Sequence, residues 1–268
     1  MSKLDKDLIL KLRSMTSAGM LDCKKALENN NNDLDLAAAW LINKGIIDSA
    51  SKANRETNAG VIAVFLDNAK SSAIAIEVNT ETDFVARNDK FQHFVSKLGP
   101  IALQQNDIES LLNAPFEQEL KVKDALSNSI AQVGENIVIN KMEKVTIENK
   151  PAEKGILGFY VHNAVGTNMG SIVSITSLYY SGQPNDFAKL DAVAKFVSIH
   201  IATCKPKFVS LEKASTDNNS ASRDDCLITQ GYVLNEKYTV EQFLKNEADK
   251  LGLQNLYVEN FIRLQVGK

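Results

Sequence analysis

Three acids and a phenylalanine crowd one point of this 268-residue chain: Glu77, Glu81, Asp83 and, directly after them, Phe84. Carboxylates at such spacing could hold a divalent metal or divide general acid and base work. Either site needs a base or a further ligand, and the neighbouring sequence supplies none at a suitable spacing. Two other readings stand beside that one. Composition favours a solvated turn whose Phe84 folds back into the core. The third is an exposed acid–aromatic wedge that enters a partner, since aromatic anchors dominate interface energetics.

Other candidates for chemistry are sparse. His93, His162 and His200 show neither HxxH nor HExxH spacing, so no metal site is expected of them. His200 sits on an apolar helix pattern and reads as a partly buried polar residue; His162 ends a strand pattern, where a contact role fits. Cys23, Cys204 and Cys226 are odd in number and form no CxxC pair, which suits small buried residues better than a nucleophile. No GxxxxGK[ST] loop, GxGxxG fingerprint or GxSxG elbow occurs. A net charge of −3 offers no general attraction to phosphate backbones, so no nucleic acid is expected as a partner. No stretch approaches the roughly 20 apolar residues that span a bilayer, so no membrane is expected either. The opening MSKLDKDLILKLRSMT reads as neither signal nor transit peptide, which points to a reducing cytoplasm.

The elements that must position these residues follow from periodicity. Leu4, Leu8, Ile9 and Leu12 share a helical stripe. A second helix restarts after the Thr16–Gly19 turn, with Met20, Cys23 and Leu27 on successive turns and Lys24 beside them. Asp33 caps a third, carrying Leu34, Ala37, Ala38, Leu41 and Ile42 and ending at Gly45. The polar stretch Asp48–Asn58 reads as a linker. Beyond it a β–β–α pattern occurs twice, GVIAVFLDN with SAIAIEVNT and GILGFYVHN with GSIVSITSL, each followed by an apolar helix. Between the two lie a helix over Gln118–Gln132 and the strand GENIVINKMEKV. The chain closes with the strand CLITQGYVL, a helix opened by Thr239 and the strand NLYVENFIRLQV. The expected fold is α+β: a three-helix module (1–47), a linker (48–59), then a duplicated hairpin-and-helix core with antiparallel sheets. Its halves are 60–150 and 151–268, and a flexible loop is expected at 211–225.

Taken in order, LRSMTSAGMLDCKKAL, EVNTETDFVARND, GENIVIN, HIATCKP, VLNEKYTV and FIRLQVG make the chain resemble the elongation factor Ts family. The matches run nearly end to end. The resemblance implies a guanine-nucleotide exchange factor for elongation factor Tu, met in GDP-bound and nucleotide-free forms, with no cofactor and no covalent chemistry. It implies that the N-terminal module is ubiquitin-associated-like and meets the GTPase through Arg13, Met20, Leu21 and Lys24. It implies that the turn Thr82, Asp83, Phe84 and Val85 enters the GTPase beside its magnesium and phosphate site. His162, Val233 and Leu234 match further contact positions. Leu21 and Leu234 stand where methionine is common in the family. One departure is plain: the long helical hairpin usual in bacterial members has no counterpart in the short polar interval Leu211–Asp225.

Two rival readings belong to other classes. A small-molecule enzyme would use Cys23 or the acids around Asp83. An adaptor would bind ubiquitin-like partners through residues 1–45 alone, leaving the duplicated core unexplained.

Overall fold

The computed structural model describes residues 6–16, 18–117, 120–216 and 222–268. Leu4 and part of the 211–225 interval lie outside them. The chain begins with helices α1 (Lys6–Thr16), α2 (Met20–Asn29) and α3 (Leu34–Ala50), then strands β1 (Ala59–Leu66) and β2 (Ser72–Thr80). Helices α4 (Asp83–Ala86), α5 (Asp89–Ala102) and α6 (Ile108–Asn113) follow. Short strands β3 (Pro115–Glu117) and β4 (Leu120–Lys121) lead into α7 (Val122–Val133) and β5 (Ile137–Thr146). Next come β6 (Lys154–His162), β7 (Met169–Gly170), β8 (Ile172–Ser181), α8 (Phe187–Cys204) and α9 (Leu211–Thr216). The last elements are α10 (Val240–Leu251) and β9 (Asn255–Gln265). One sheet has the order β5–β2–β1–β7, a second pairs β3 with β4, and a third is β6–β8–β9. The fold is therefore α+β; the expected β–β–α units appear as β1–β2 followed by α4 and α5, and as β6 and β8 followed by α8, with the two-residue β7 between those two strands.

Contacts gather the chain into two compact units. One holds the residues up to Gly60 together with Val78–Asn140; the other holds Val61–Glu77 and Lys141–Val266.

In the first unit, α1, α2 and α3 bury Leu12, Cys23, Ala26, Leu27, Ala37 and Leu41 among themselves. Asp33 caps α3 as its type predicts, accepting from the backbone N–H of Asp35 and Leu36 at 2.9 Å each. The helix does not stop at Gly45 but runs on to Ala50. That glycine serves close approach instead of termination: a Cβ there would stand 2.7 Å from Asn128 Oδ1 on α7. Met20 departs from the expected stripe, being 48% exposed. It is the first residue of α2. Helix α5 buries Phe91, Phe94, Val95 and Leu98, and α7 ends at Gly134, whose left-handed backbone (φ 82°) closes the helix.

In the second unit, β8 lies between β6 and β9 in antiparallel register and is buried from Val173 to Tyr180. Helices α8 and α10 supply Leu190, Val193, Val197, Ile201, Leu244 and Leu251 to a core shared with Leu178 and Val258. Gly158 on β6 lets α8 close in, since a Cβ there would meet the Ala194 backbone at 2.4 Å. The expected strand CLITQGYVL is absent. Leu227–Thr229 forms a 3-10 turn there, and buried Cys226, Leu227 and Tyr232 serve as core plugs, not as a ladder. The polar interval is also more regular than a flexible loop at its start. Leu211–Thr216 is helical, Ala214 is 1% exposed, and Lys213 Nζ pairs with Glu259 Oε1 at 2.9 Å. Buried Ala214 and the Lys213–Glu259 ion pair help to hold this helix.

Candidate functional site

The turn after β2 bears on the metal-cluster and fold-back readings of the acids. Glu77 is fully buried within the strand, whereas Asp83 is exposed, so the three carboxylates do not gather into one site. Glu81 is occupied locally: its Oε1 accepts from the Asn136 backbone N–H at 2.6 Å and from Arg55 Nη1 at 3.4 Å. Among the described residues no group of three or more His, Cys, Asp or Glu is placed to hold a metal ion.

Phe84 does not fold back. It is 81% exposed, while its neighbours Val85 and Ala86 are buried beneath it. The backbone explains the arrangement. Thr82 stands in extended conformation at the start of α4, and its carbonyl accepts from Thr80 Oγ1 at 2.8 Å. The Thr82 N–H donates to Glu135 Oε2 at 3.0 Å and the Thr82 hydroxyl donates to Glu135 Oε1 at 2.7 Å. Asn88 then receives the chain, capping α5 through the Lys90 N–H at 2.9 Å. Val85, expected among the contact residues, is 8% exposed and anchors the turn from below. Sequence reasoning missed Glu135 and Asn136 as partners of the turn, although both stand in GENIVIN.

Also in the first unit, α2 displays Leu21 at 75% exposure beside Met20, with Lys24 one turn further on, 3.8 Å from Glu28. Arg13, in the last turn of α1, lines a cleft of about 750 Å³ with Lys90 and His93 of α5 and Asn128 and Gln132 of α7.

The second unit carries the remaining three candidates. His162 is exposed at the end of β6, its Nδ1 3.3 Å from Tyr160 Oη. Val233 and Leu234 lie on a tight loop closed by the Tyr232 N–H donating to the Tyr238 carbonyl at 2.8 Å, and Leu234 is 55% exposed. Fully buried His200 holds that loop: the Val233 N–H donates to its Nδ1 at 3.1 Å. Nδ1 must therefore be the acceptor nitrogen, which leaves the proton on Nε2, 2.9 Å from Gln230 Oε1. Burial lowers the His200 pKa from the ordinary value, against a smaller opposing effect of Gln230. The only sequence signal for this role is a histidine on an otherwise apolar helix face.

Burial raises the pKa of all three thiols, Cys23, Cys204 and Cys226, the opposite of what a thiolate nucleophile requires.

A family model described as elongation factor Ts matches residues 81–224 of the chain, beginning at the turn that carries Phe84. Elongation factor Ts of Rickettsia bellii (strain OSU 85-389) is 31% identical over 290 residues, covering 97% of this chain and 91% of that protein. The chain belongs to the elongation factor Ts family. Elongation factor Ts of Zymomonas mobilis (strain ATCC 31821 / ZM4 / CP4) is 30% identical, covering 100% of this chain and 94% of its own length. For elongation factor Ts of Methylocella silvestris the identity is 31%, covering 97% of this chain and 79% of that protein. These elongation factor Ts relatives extend the likeness to both sides of the 81–224 match, over the helices that carry Leu21 and the loop that carries Leu234.

Proposed function

We propose that this chain is a guanine-nucleotide exchange factor for elongation factor Tu in translation elongation, acting in the cytoplasm and promoting GDP release without cofactor or covalent step. Membership of the elongation factor Ts family supports the partner and the role. The observation that carries the mechanism is Phe84, an aromatic ring left 81% exposed on a turn whose flanks are fastened. Phe84 enters an apolar gap of the GTPase, and Asp83 beside it disturbs the shell of the bound magnesium. Arg13, Met20, Leu21 and Lys24 hold the partner from the ubiquitin-associated-like module, and His162, Val233 and Leu234 hold it from the distal half. The functional parts are then the module (1–47), the linker (48–59) and the core halves (60–150 and 151–268).

Linkage sets the terms. A factor that binds the empty GTPase more tightly than the loaded one must weaken nucleotide binding by the same factor. Accelerating GDP release ~1,000-fold requires lowering the barrier by roughly 4 kcal/mol. Burying one phenylalanine contributes about 1.5–3 kcal/mol, so Phe84 needs the other contacts to hold the partner while it is distorted.

The test is release of a fluorescent GDP analogue from elongation factor Tu with this chain at substoichiometric concentration. Multiple turnovers are expected, and Phe84→Ala should slow release by about tenfold or more while leaving the fold and most of the affinity intact. Release in the presence of Phe84→Ala as fast as with the unaltered chain would defeat the wedge.

A further inference from the structure

Two short segments of the first unit are laced together by their side chains. Glu81 accepts the Asn136 backbone N–H, and one residue along in each segment Glu135 accepts both donors of Thr82. The lacing matters because of what lies between. Helix α4 is a single turn of four residues, Asp83–Ala86, too short to hold its shape by its own hydrogen bonds. Its first N–H groups have no partner within the helix. Glu135 meets the Thr82 N–H just before them. Glu135 is itself held. It directly follows Gly134, which ends α7 with its N–H on the Ile130 carbonyl at 2.9 Å, and it precedes buried Asn136. The Asn136 side chain donates to the Arg55 carbonyl at 3.0 Å.

We infer that Glu135 is a positioning residue for Phe84: its bidentate hold on Thr82 ties the exposed turn to the end of α7 and fixes the direction in which the ring points. The inference rests on the exchange-factor reading of the chain. Without the hold, Val85 and Ala86 still anchor the turn from below, but its entry frays and Phe84 samples directions that miss the partner. The ring remains exposed and able to touch the GTPase, so the loss falls on the rate of exchange more than on docking.

Catalysed release of a fluorescent GDP analogue from elongation factor Tu, with the full-length chain, tests this through a double-mutant cycle. Glu135→Ala should slow release about tenfold at saturating partner and change the half-saturating concentration far less. Glu135→Gln, which retains an acceptor oxygen, should fall between Glu135→Ala and the unaltered chain. In a Phe84→Ala background, Glu135→Ala should slow release no further, because the carboxylate acts through the ring. Full-rate release by folded Glu135→Ala would overturn the inference while leaving the exchange reading intact. Equal slowing with and without Phe84 would overturn it too, showing a general structural role. Should Glu135→Ala fail to fold by circular dichroism, Thr82→Val carries the same cycle, since it keeps the N–H donor and removes the hydroxyl. If the unaltered chain itself gave no acceleration, the exchange reading would fall and this inference with it.

Discussion

An aromatic ring left in water forgoes about 1.5–3 kcal/mol of burial, so Phe84 stands out only because its immediate neighbours are so firmly placed. Val85 lies beneath it and Thr82 is fastened through two hydrogen bonds. His200 plays a comparable part for Leu234, with its Nδ1 receiving the Val233 N–H. Its pKa is lowered by burial from 6.5, so the folded chain resists a proton that the unfolded chain accepts. Above pH ~6.5 both states are neutral at this residue and it adds no pH dependence. As pH falls below that, the unfolded state gains protons first and stability declines. Urea midpoints measured at pH 7.5 and 5.5 should therefore fall on acidification, and the fall should shrink in His200→Gln. An equal fall in both proteins would place the titrating group elsewhere.

Among the elements, two glycines act through proximity, and only Gly45 was legible in the sequence, as punctuation. Gly45 follows a helical pattern and resembles a terminator, yet α3 passes through it against Asn128. Gly158 interrupts a strand pattern, and the reason is the backbone of Ala194 across from it. Because those obstructing atoms are backbone, they cannot swing aside as a flexible side chain would. Gly158→Ala should accordingly cost about 1–3 kcal/mol through overpacking. For a chain of this size that is roughly 2–4 °C of melting temperature per kcal/mol, readable by calorimetry. An unchanged melting temperature would mean that α8 and β6 separate freely. The run CLITQGYVL teaches the same lesson from the other side. Cys226, Leu227 and Tyr232 of that run are buried as a strand's residues would be, while Leu234 is exposed, and local composition does not say whether burial comes from a ladder or from a turn plugging the core.

For the whole molecule, the exchange reading needs contacts spread well beyond Phe84. Leu21 at 75% and Leu234 at 55% exposure are the apolar side chains expected to supply them. Leu21→Asp and Leu234→Asp should each weaken binding to elongation factor Tu, seen as a higher concentration for half-maximal GDP release. Both should leave unfolding within about 0.5 kcal/mol of the unaltered chain, as surface changes do. Unchanged binding in both variants would remove these two residues from the interface. The α+β class, the repeated β–β–α order, the three opening helices, Asp33 as a cap and Thr239 as another could be read directly, because periodicity and capping act over a few residues. The direction of Phe84, the role of Glu135 and the grip of His200 could not. Thr82 and Glu135 stand 53 positions apart, and His200 and Val233 33 apart. Hydrogen bonds of that reach leave no local pattern, and they exist only once packing has brought distant segments together.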